Sequence, residues 1–432
     1  MTRPPWEVAD VIRRTGNKFL EHYRQSLTWA QVKMLTAIVR CRTAALGGHR
    51  DQCRRCGYQA ISYNSCRNRH CPKCQTHARE KWLHQRQQEL LPVGYYHLVF
   101  SVPHALVPLV WQNKKVLFTL LFEATAATLL EGAADPKHLG AEIGFLSILH
   151  TWGQTLQPHP HLHCVVPGGG LSSDHQRWIA SPPHFFLPVK VLSRVFRGKF
   201  VEGLRRAARS GRLTFQGECL PLANPQGFAV FLRTLFREDW VVYAKPPFGG
   251  PQHVLQYLAR YTHRVAISNH RLVDVTDSHV TFRWKDYAHH SRQRTMTLTG
   301  QEFLRRFVQH VLPKGFPRIR YFGWLANRRR SRLLPRCRLL LAQMPPATPA
   351  APAEEPAIWL SGARQRRRGE KSGGGFPFKG FHPYRIVGGD CHHCDSGGDS
   401  VAGTEISPGA GTGGPMPEQY QATDALLAGV CQ

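Results

Sequence analysis

Tyr257 and Tyr261 stand four residues apart in the segment PQHVLQYLARYTHRVAI, in company with Arg260 and Arg264. Pro251, following Gly249 and Gly250, is a sound helix start. The spacing that follows predicts one amphipathic helix over 251–265, with Val254, Leu258 and Val265 as its apolar stripe. His253, Tyr257, Arg260 and Arg264 fall beside that stripe, and Tyr261 lies on its border. A phenol with guanidinium groups on the same face suits a nucleophile that attacks a phosphodiester, because the oxygen attacks while the cations hold the phosphate. Core packing with satisfied hydroxyls is the competing reading, and it fits Tyr261 better than Tyr257.

A second set lies in HTWGQTLQPHPHLHCVVPGGG, which begins at His150. His161 and His163 flank Leu162 where a strand starts after Pro160, and strand alternation puts both imidazoles on one face. That face could hold a divalent cation, with Leu162 and Val165 expected to turn toward a core on the other side. Two histidines on one strand serve equally well as hydrogen-bonding groups. A third ligand must come from elsewhere. Gln154 is the first choice, since the segment before the turn can lie antiparallel to the histidine strand; His159, His150 and His97 remain open.

Six of the 12 cysteines crowd between Cys41 and Cys74. Cys53-x2-Cys56 and Cys71-x2-Cys74 are two knuckles with 14 residues between them, a spacing that predicts a structural zinc site. Their neighbours Arg54, Arg55, Arg67, Arg69 and Lys73 could not accompany them into an apolar core. Cys41, His49, Cys66 and His70 form a further set that suits a second zinc, or equally well capping and packing roles. Four protein ligands leave zinc no open position, so its role is structural, and the arginines between the cysteines, Arg67 and Arg69 among them, are expected to face phosphates.

These groups need a frame. A chain of 432 residues exceeds what one core usually serves. We assign residues 1–92 to a small helical and zinc-ribbon-like module and 93–340 to a larger α+β domain. Residues 341–432 form a basic tail rich in Pro and Gly, expected to be disordered. In the first module two helices span 7–46, the second opened by Thr28 and Gln31 in capping-box spacing, and a charged helix spans 76–91. In the second, strands are expected at 95–102, 143–152, 162–166, 240–244, 271–275 and 280–285. They alternate irregularly with helices at 114–132, 188–209, 225–237, 251–265 and 300–312, which suggests an antiparallel sheet. Cys391-x2-Cys394 in the tail has no second knuckle, and Cys431 cannot complete it.

Lys and Arg total 57 against 28 Asp and Glu, and this basic excess runs through the whole chain, so a polyanion is the expected partner. The first thirty residues hold no apolar h-region. The longest apolar stretch, Val116 to Leu130, carries Glu123 and falls short of the roughly 18 residues a membrane span needs. The expectation is a cytoplasmic, nucleoid-associated protein of undetermined oligomeric state with no membrane contact.

The motifs HPHLHCVVPGG and YLARYTHRVAISNHRL, preceded by CRTAALGGHRDQC and YNSCRNRHCPKCQ, resemble those of the rolling-circle insertion-sequence transposases of the IS ninety-one type. That family belongs to the His-hydrophobic-His (HUH) tyrosine endonucleases. The resemblance runs over about residues 10–340 and includes FRWKDY at 282–287 and LPKGFPRIRYFGWLA at 312–326. It implies an antiparallel-sheet nuclease domain in which His161 and His163 bind Mg2+ or Mn2+, and His ligands favour Mn2+. It further implies that Tyr257 or Tyr261 forms a 5′-phosphotyrosyl link with single-stranded DNA at the ends of a mobile element, and that zinc binds at the N-terminal cysteines. Trp284, Tyr287, Tyr321 and Trp324 among the cations could stack unpaired bases. A replication initiator or conjugative relaxase would share this chemistry. A non-enzymatic zinc-dependent DNA-binding protein would explain charge and zinc, but not the basic face of the tyrosine helix.

Overall fold

The computed structural model describes residues 4–53, 56–182, 186–245, 266–287, 289 and 292–344. The expected helix over 251–265, with Tyr257, Tyr261, Arg260 and Arg264, lies outside the described residues, as do Arg54, Arg55 and the tail beyond 344.

The chain opens with helices α1 (Val8–Tyr23) and α2 (Trp29–Arg40), hairpin strands β1 (Gly48–Gln52) and β2 (Gln59–Tyr63), and helix α3 (Thr76–Gln87). Strand β3 (Tyr95–Ser101) leads to α4 (Val107–Gln112) and the long α5 (Lys114–Ala134). Strands β4 (Gly144–Trp152) and β5 (Pro158–Pro167) form a hairpin, followed by a small ribbon of β6 (Gly169–Leu171) and β7 (Trp178–Ala180). Then come α6 (Val189–Arg209), α7 (Pro225–Thr234), β8 (Val242–Lys245), β9 (Leu272–Val275), β10 (His279–Asp286) and β11 (Arg292–Thr299). The described chain closes with α8 (Gly300–Gln309), β12 (Ile319–Gly323) and α9 (Asn327–Ala342). The α+β class is as expected. Local signals set several boundaries: Thr28 and Gln31 close a reciprocal capping box on α2, and the Thr299 hydroxyl accepts from the Glu302 amide at the start of α8.

β12, β4, β5, β3 and β8 lie side by side in that order, every neighbour antiparallel. Alternation sorts their side chains. Leu98, Phe100, Phe145, Leu149, Leu162, Cys164 and Val166 enter one core with Phe118, Leu121 and Phe122 of α5 and Phe196, Phe200 and Leu204 of α6. By length and composition α5 could cross a membrane, yet Leu117, Phe118, Leu121 and Phe122 are buried in this core. The opposite sheet face carries His150, His161, His163 and the apolar group Tyr95, Leu146, Ile148 and Val165. Val165 therefore shares the histidine face, which corrects its expected placement with Leu162: residues three apart in a strand point opposite ways.

A second core joins α1 and α2 to β9, β10 and α8 through Ile12, Phe19, Leu35, Ile38, Phe282, Phe303 and Phe307. Gly300 permits the close approach, since a Cβ there would lie 2.3 Å from a Thr15 methyl. The N-terminal helices thus share a core with residues beyond 266, across the boundary assigned near 92. Leu156, in the β4–β5 turn, also belongs to this core.

Candidate functional site

Register brings the histidines together. His150 of β4 pairs with His161 of β5, Ile148 with His163, and on the other side of β5 Val99 of β3 pairs with His163. The ligand nitrogens of His150, His161 and His163 all lie within 4.8 Å of one another, and His161 Nε2 stands 3.0 Å from His163 Nε2. His161 Nδ1 is 2.7 Å from the carbonyl oxygen of His159. A carbonyl only accepts, so the proton sits on Nδ1 and the lone pair on Nε2 faces the cluster. His163 Nδ1 lies 2.8 Å from His97 Nε2 with the two rings nearly parallel, an outer contact of the kind that orients metal-binding imidazoles. Two ring nitrogens 3.0 Å apart need a shared proton or a shared cation between them. Adjacent ligands at a metal–nitrogen distance of about 2.1 Å would be separated by about 3 Å, so the donor set fits a divalent ion.

Burial holds the His161 and His163 rings neutral, which is the form that binds metal. It lowers His161 to about 3 and His159 to about 4, and pushes His163 well below the usual histidine range, with neighbouring imidazoles adding to each shift. Trp152 stacks on His150 at 4.8 Å between centroids. Gln154, the expected third ligand, is engaged elsewhere: its amide donates to the Tyr287 hydroxyl at 3.1 Å and its oxygen accepts from the Lys285 amide at 3.4 Å. His150, one of the residues left open for that place, joins the cluster instead, because the hairpin register sets it, and not the turn residue, opposite His161.

The cysteines also regroup. Cys41, Cys66, Cys71 and Cys74 have all four sulfurs within 4.8 Å of one another, and Cys66 Sγ is 3.7 Å from Cys74 Sγ. A zinc–sulfur distance of about 2.3 Å gives tetrahedral edges of about 3.8 Å, so this quartet fits zinc. The hydrogen bonds among the thiols draw Cys41 down to about 7 and Cys74 lower still; the contacts with Cys41 raise Cys66 and Cys71. Cys53 and Cys56 are exposed at the tip of the β1–β2 hairpin, where the Cys53 amide donates to Tyr58 O and the Gly57 amide to Cys53 O. The pairing of two knuckles is therefore corrected: Cys71 and Cys74 take Cys41 and Cys66 as companions. The second set divides in the same way. Cys41, at the C-terminal end of α2, meets Cys66, whereas His49 lies exposed on β1 and His70 is buried against Asn68 and Leu312.

Arg67 is exposed at φ 51°, but Arg69 turns inward and donates to Phe316 O at 2.7 Å and Pro313 O at 3.1 Å. The expectation that Arg69 faces phosphate is corrected, because those carbonyls occupy its terminal nitrogens. Trp324 is likewise buried, at 1% exposure, and is not a stacking surface. His97, left open as a third ligand, is instead the outer partner of His163, whereas His310 carried no local pattern that marks it as a partner of the centre.

A strongly basic α+β chain that sets three imidazoles on the inner strands of its sheet and gathers four thiols in its N-terminal part has what a DNA-processing enzyme on a zinc-stabilised frame requires. Residues 11–102 match the family described as "Transposase zinc-binding domain", and residues 144–332 the family described as "Putative transposase". The chain is 55% identical over 347 residues to "Putative transposase y4qJ" of Sinorhizobium fredii, covering 80% of this chain and 87% of that one. It is 29% identical to "Transposase for insertion sequence element IS801" of Pseudomonas savastanoi pv. phaseolicola, covering 71% and 73% of the two chains. A solved conjugative relaxase TrwC, in complex with oriT DNA and metal-free, aligns at TM-score 0.20 and 14% identity over 39% of this chain and 71% of its own; a likeness of that size carries no argument. The chain belongs to the insertion-sequence transposases of the IS ninety-one type, enzymes of rolling-circle transposition that cut and join DNA.

Proposed function

We propose that this transposase nicks and rejoins single-stranded DNA at the ends of a mobile element, using His150, His161 and His163 to hold Mn2+ or Mg2+ and Tyr257 or Tyr261 as nucleophile. The observation that carries this reading is the convergence of the three imidazoles, with two Nε2 atoms 3.0 Å apart on one buried face. A divalent cation held there would polarise the scissile phosphate and fix its position. The tyrosine oxygen forms a bond to phosphorus, the bond from phosphorus to the 3′-oxygen breaks, and the 3′-hydroxyl leaves with a proton. A 5′-phosphotyrosyl link results, and because it conserves the bond energy, attack by another 3′-hydroxyl rejoins the strand without ATP. Arg260 and Arg264 hold phosphate beside the tyrosines, and exposed Arg67 adds a contact from the zinc loop. Zn2+ held by Cys41, Cys66, Cys71 and Cys74 has four protein ligands and a structural role. The substrate places the enzyme in the bacterial cytoplasm, at the nucleoid.

The test is covalent capture. Labelled single-stranded element-end DNA is incubated with Mn2+ and wild type, Tyr257→Phe, Tyr261→Phe, the double tyrosine variant, or His161→Ala with His163→Ala, and run on a denaturing protein gel. Label should attach to wild type and vanish in the double-tyrosine and histidine variants, and the single variants apportion the role. Verified ends that give neither cleavage nor adduct with wild type would overturn the reading.

A further inference from the structure

The turn between β4 and β5, residues 153–157, is held from outside at three consecutive carbonyls. Arg271 donates to that of Gln154, Arg306 to that of Thr155 at 3.0 Å, and His310 Nε2 to that of Leu156 at 3.0 Å. Leu156 is fully buried at φ 63°, a left-handed conformation that a leucine rarely adopts. The local sequence does not favour this turn, so packing and these donors impose it.

His310 does more than cap a carbonyl. Because its Nε2 must carry the proton that Leu156 accepts, Nδ1 is left as the acceptor for the Thr151 hydroxyl, 3.2 Å away. Thr151 adjoins His150 on β4. Trp152 stands edge-on to His310 at 6.0 Å and stacks on His150 at 4.8 Å. On the other side of His310 the chain runs into 312–316, which the zinc loop grips: Arg69 donates to Pro313 O and Phe316 O, and the Leu312 amide donates to His70 Nε2. Arg69 and His70 lie between Cys66 and Cys71. A continuous series of hydrogen bonds and ring contacts therefore joins the four-thiol loop to the strand that carries His150.

We propose that His310 is a positioning residue which, braced by Arg69 of the zinc loop, fixes the β4–β5 turn and so sets His150 against His161 and His163. The proposal rests on the reading of those three histidines as the ion centre. Two arms of one hairpin supply all three ligands, so the turn that joins the arms controls their relative placement. Freeing the turn lets His150 slide or rotate and weakens the site without removing any ligand. Outer partners of this kind alter metal affinity by about 10- to 100-fold.

The experiment measures Mn2+ binding to the zinc-loaded full chain by the electron paramagnetic resonance of free Mn2+, with zinc content determined in parallel, and needs no DNA. Wild type should bind one Mn2+ that His161→Ala does not. Thr151→Val and His310→Phe, which keep shape and lose hydrogen bonds, should weaken that binding about 10-fold or more. His310→Gln, whose amide can still donate to Leu156 and accept from Thr151, should stay within about 3-fold of wild type, a rescue that bulk alone would not give. Arg69→Met should weaken Mn2+ binding while zinc stays bound. Unchanged Mn2+ affinity in Thr151→Val and His310→Phe overturns the proposal, and if His310→Phe does not fold, Thr151→Val decides by itself. Unchanged affinity in Arg69→Met removes the zinc loop from the coupling and overturns that half. If wild type shows no Mn2+ binding that His161→Ala abolishes, the ion-centre reading falls first and this proposal with it.

Discussion

Lowering the pH from 7.5 to 6.0 without added Mn2+ or Mg2+ should unfold this protein far more readily than its carboxylates would suggest. Burial, reinforced by neighbouring cations and imidazoles, lowers His70, His161 and His310 to about 3 and His159 to about 4, and holds His163 well below the usual range. In the unfolded chain each titrates near 6.5. As pH falls through that value the unfolded chain takes up protons that the folded chain does not, so stability declines with falling pH and is fully present only above about pH 7.5. Each such histidine costs about 0.8 kcal/mol at pH 6.0 and about 1.4 kcal/mol at pH 5.5. Five of them together cost about 4 kcal/mol at pH 6.0, a large share of the 5–15 kcal/mol that usually separates folded from unfolded chains.

The assay is urea unfolding followed by circular dichroism at pH 7.5, 6.75 and 6.0, with zinc content checked at each pH. The midpoint should fall steadily, and the slope should be shallower in His310→Gln, which has one buried imidazole fewer. Added Mn2+ should raise the midpoint, as any ion held by the folded chain alone would. A midpoint constant between pH 7.5 and 6.0 with zinc retained would refute the argument, since it would mean that the folded histidines take up protons as readily as unfolded ones.

Two further substitution sets probe the frame. Cys41→Ser or Cys71→Ser should release zinc and lower the unfolding temperature sharply, whereas Cys53→Ser should keep the zinc of the quartet; metal analysis showing the reverse would restore the two-knuckle pairing. Gly144→Ala places a Cβ 2.4 Å from the buried Trp324 ring and should cost about 1–3 kcal/mol in urea unfolding. Gly203→Ala meets a Leu120 methyl at 2.1 Å and should cost less, because that methyl can swing aside; equal costs would contradict this view of where the packing is rigid.

What the sequence revealed of the site followed the reach of each signal. Alternation acts within one strand, so it placed His161 and His163 on a shared face. The third imidazole depends on which residue of β4 faces His161, and that is decided by a turn containing a left-handed Leu156 and by donors more than a hundred residues away. Gln154 looked apt because it precedes the turn, but the turn points its amide at Tyr287 and Lys285. Val165 was misplaced by treating hydrophobicity as a sign of which face a residue takes, when this sheet buries apolar groups on both faces.

The cysteines show the same limit from the other side. CxxC spacing describes a local knuckle, and the β1–β2 hairpin does present Cys53 and Cys56 at a tight turn. Closing a tetrahedron is a non-local matter. Cys41 reaches Cys66 because α2 packs into the core shared with α8, and that core was invisible to a boundary drawn near residue 92 where a charged helix ends at Pro92 and a strand begins. The same core explains why Arg69 lies where a phosphate contact was expected and instead grips 313–316. The zinc loop is thus held against the segment that carries His310, and His310 touches both the turn and the strand of the histidine centre. An arrangement with the zinc module swinging freely on a linker would leave Arg69 and His70 exposed to solvent. Their inward hydrogen bonds make the module a buttress of the sheet that carries the histidines, while Arg67 beside them stays exposed.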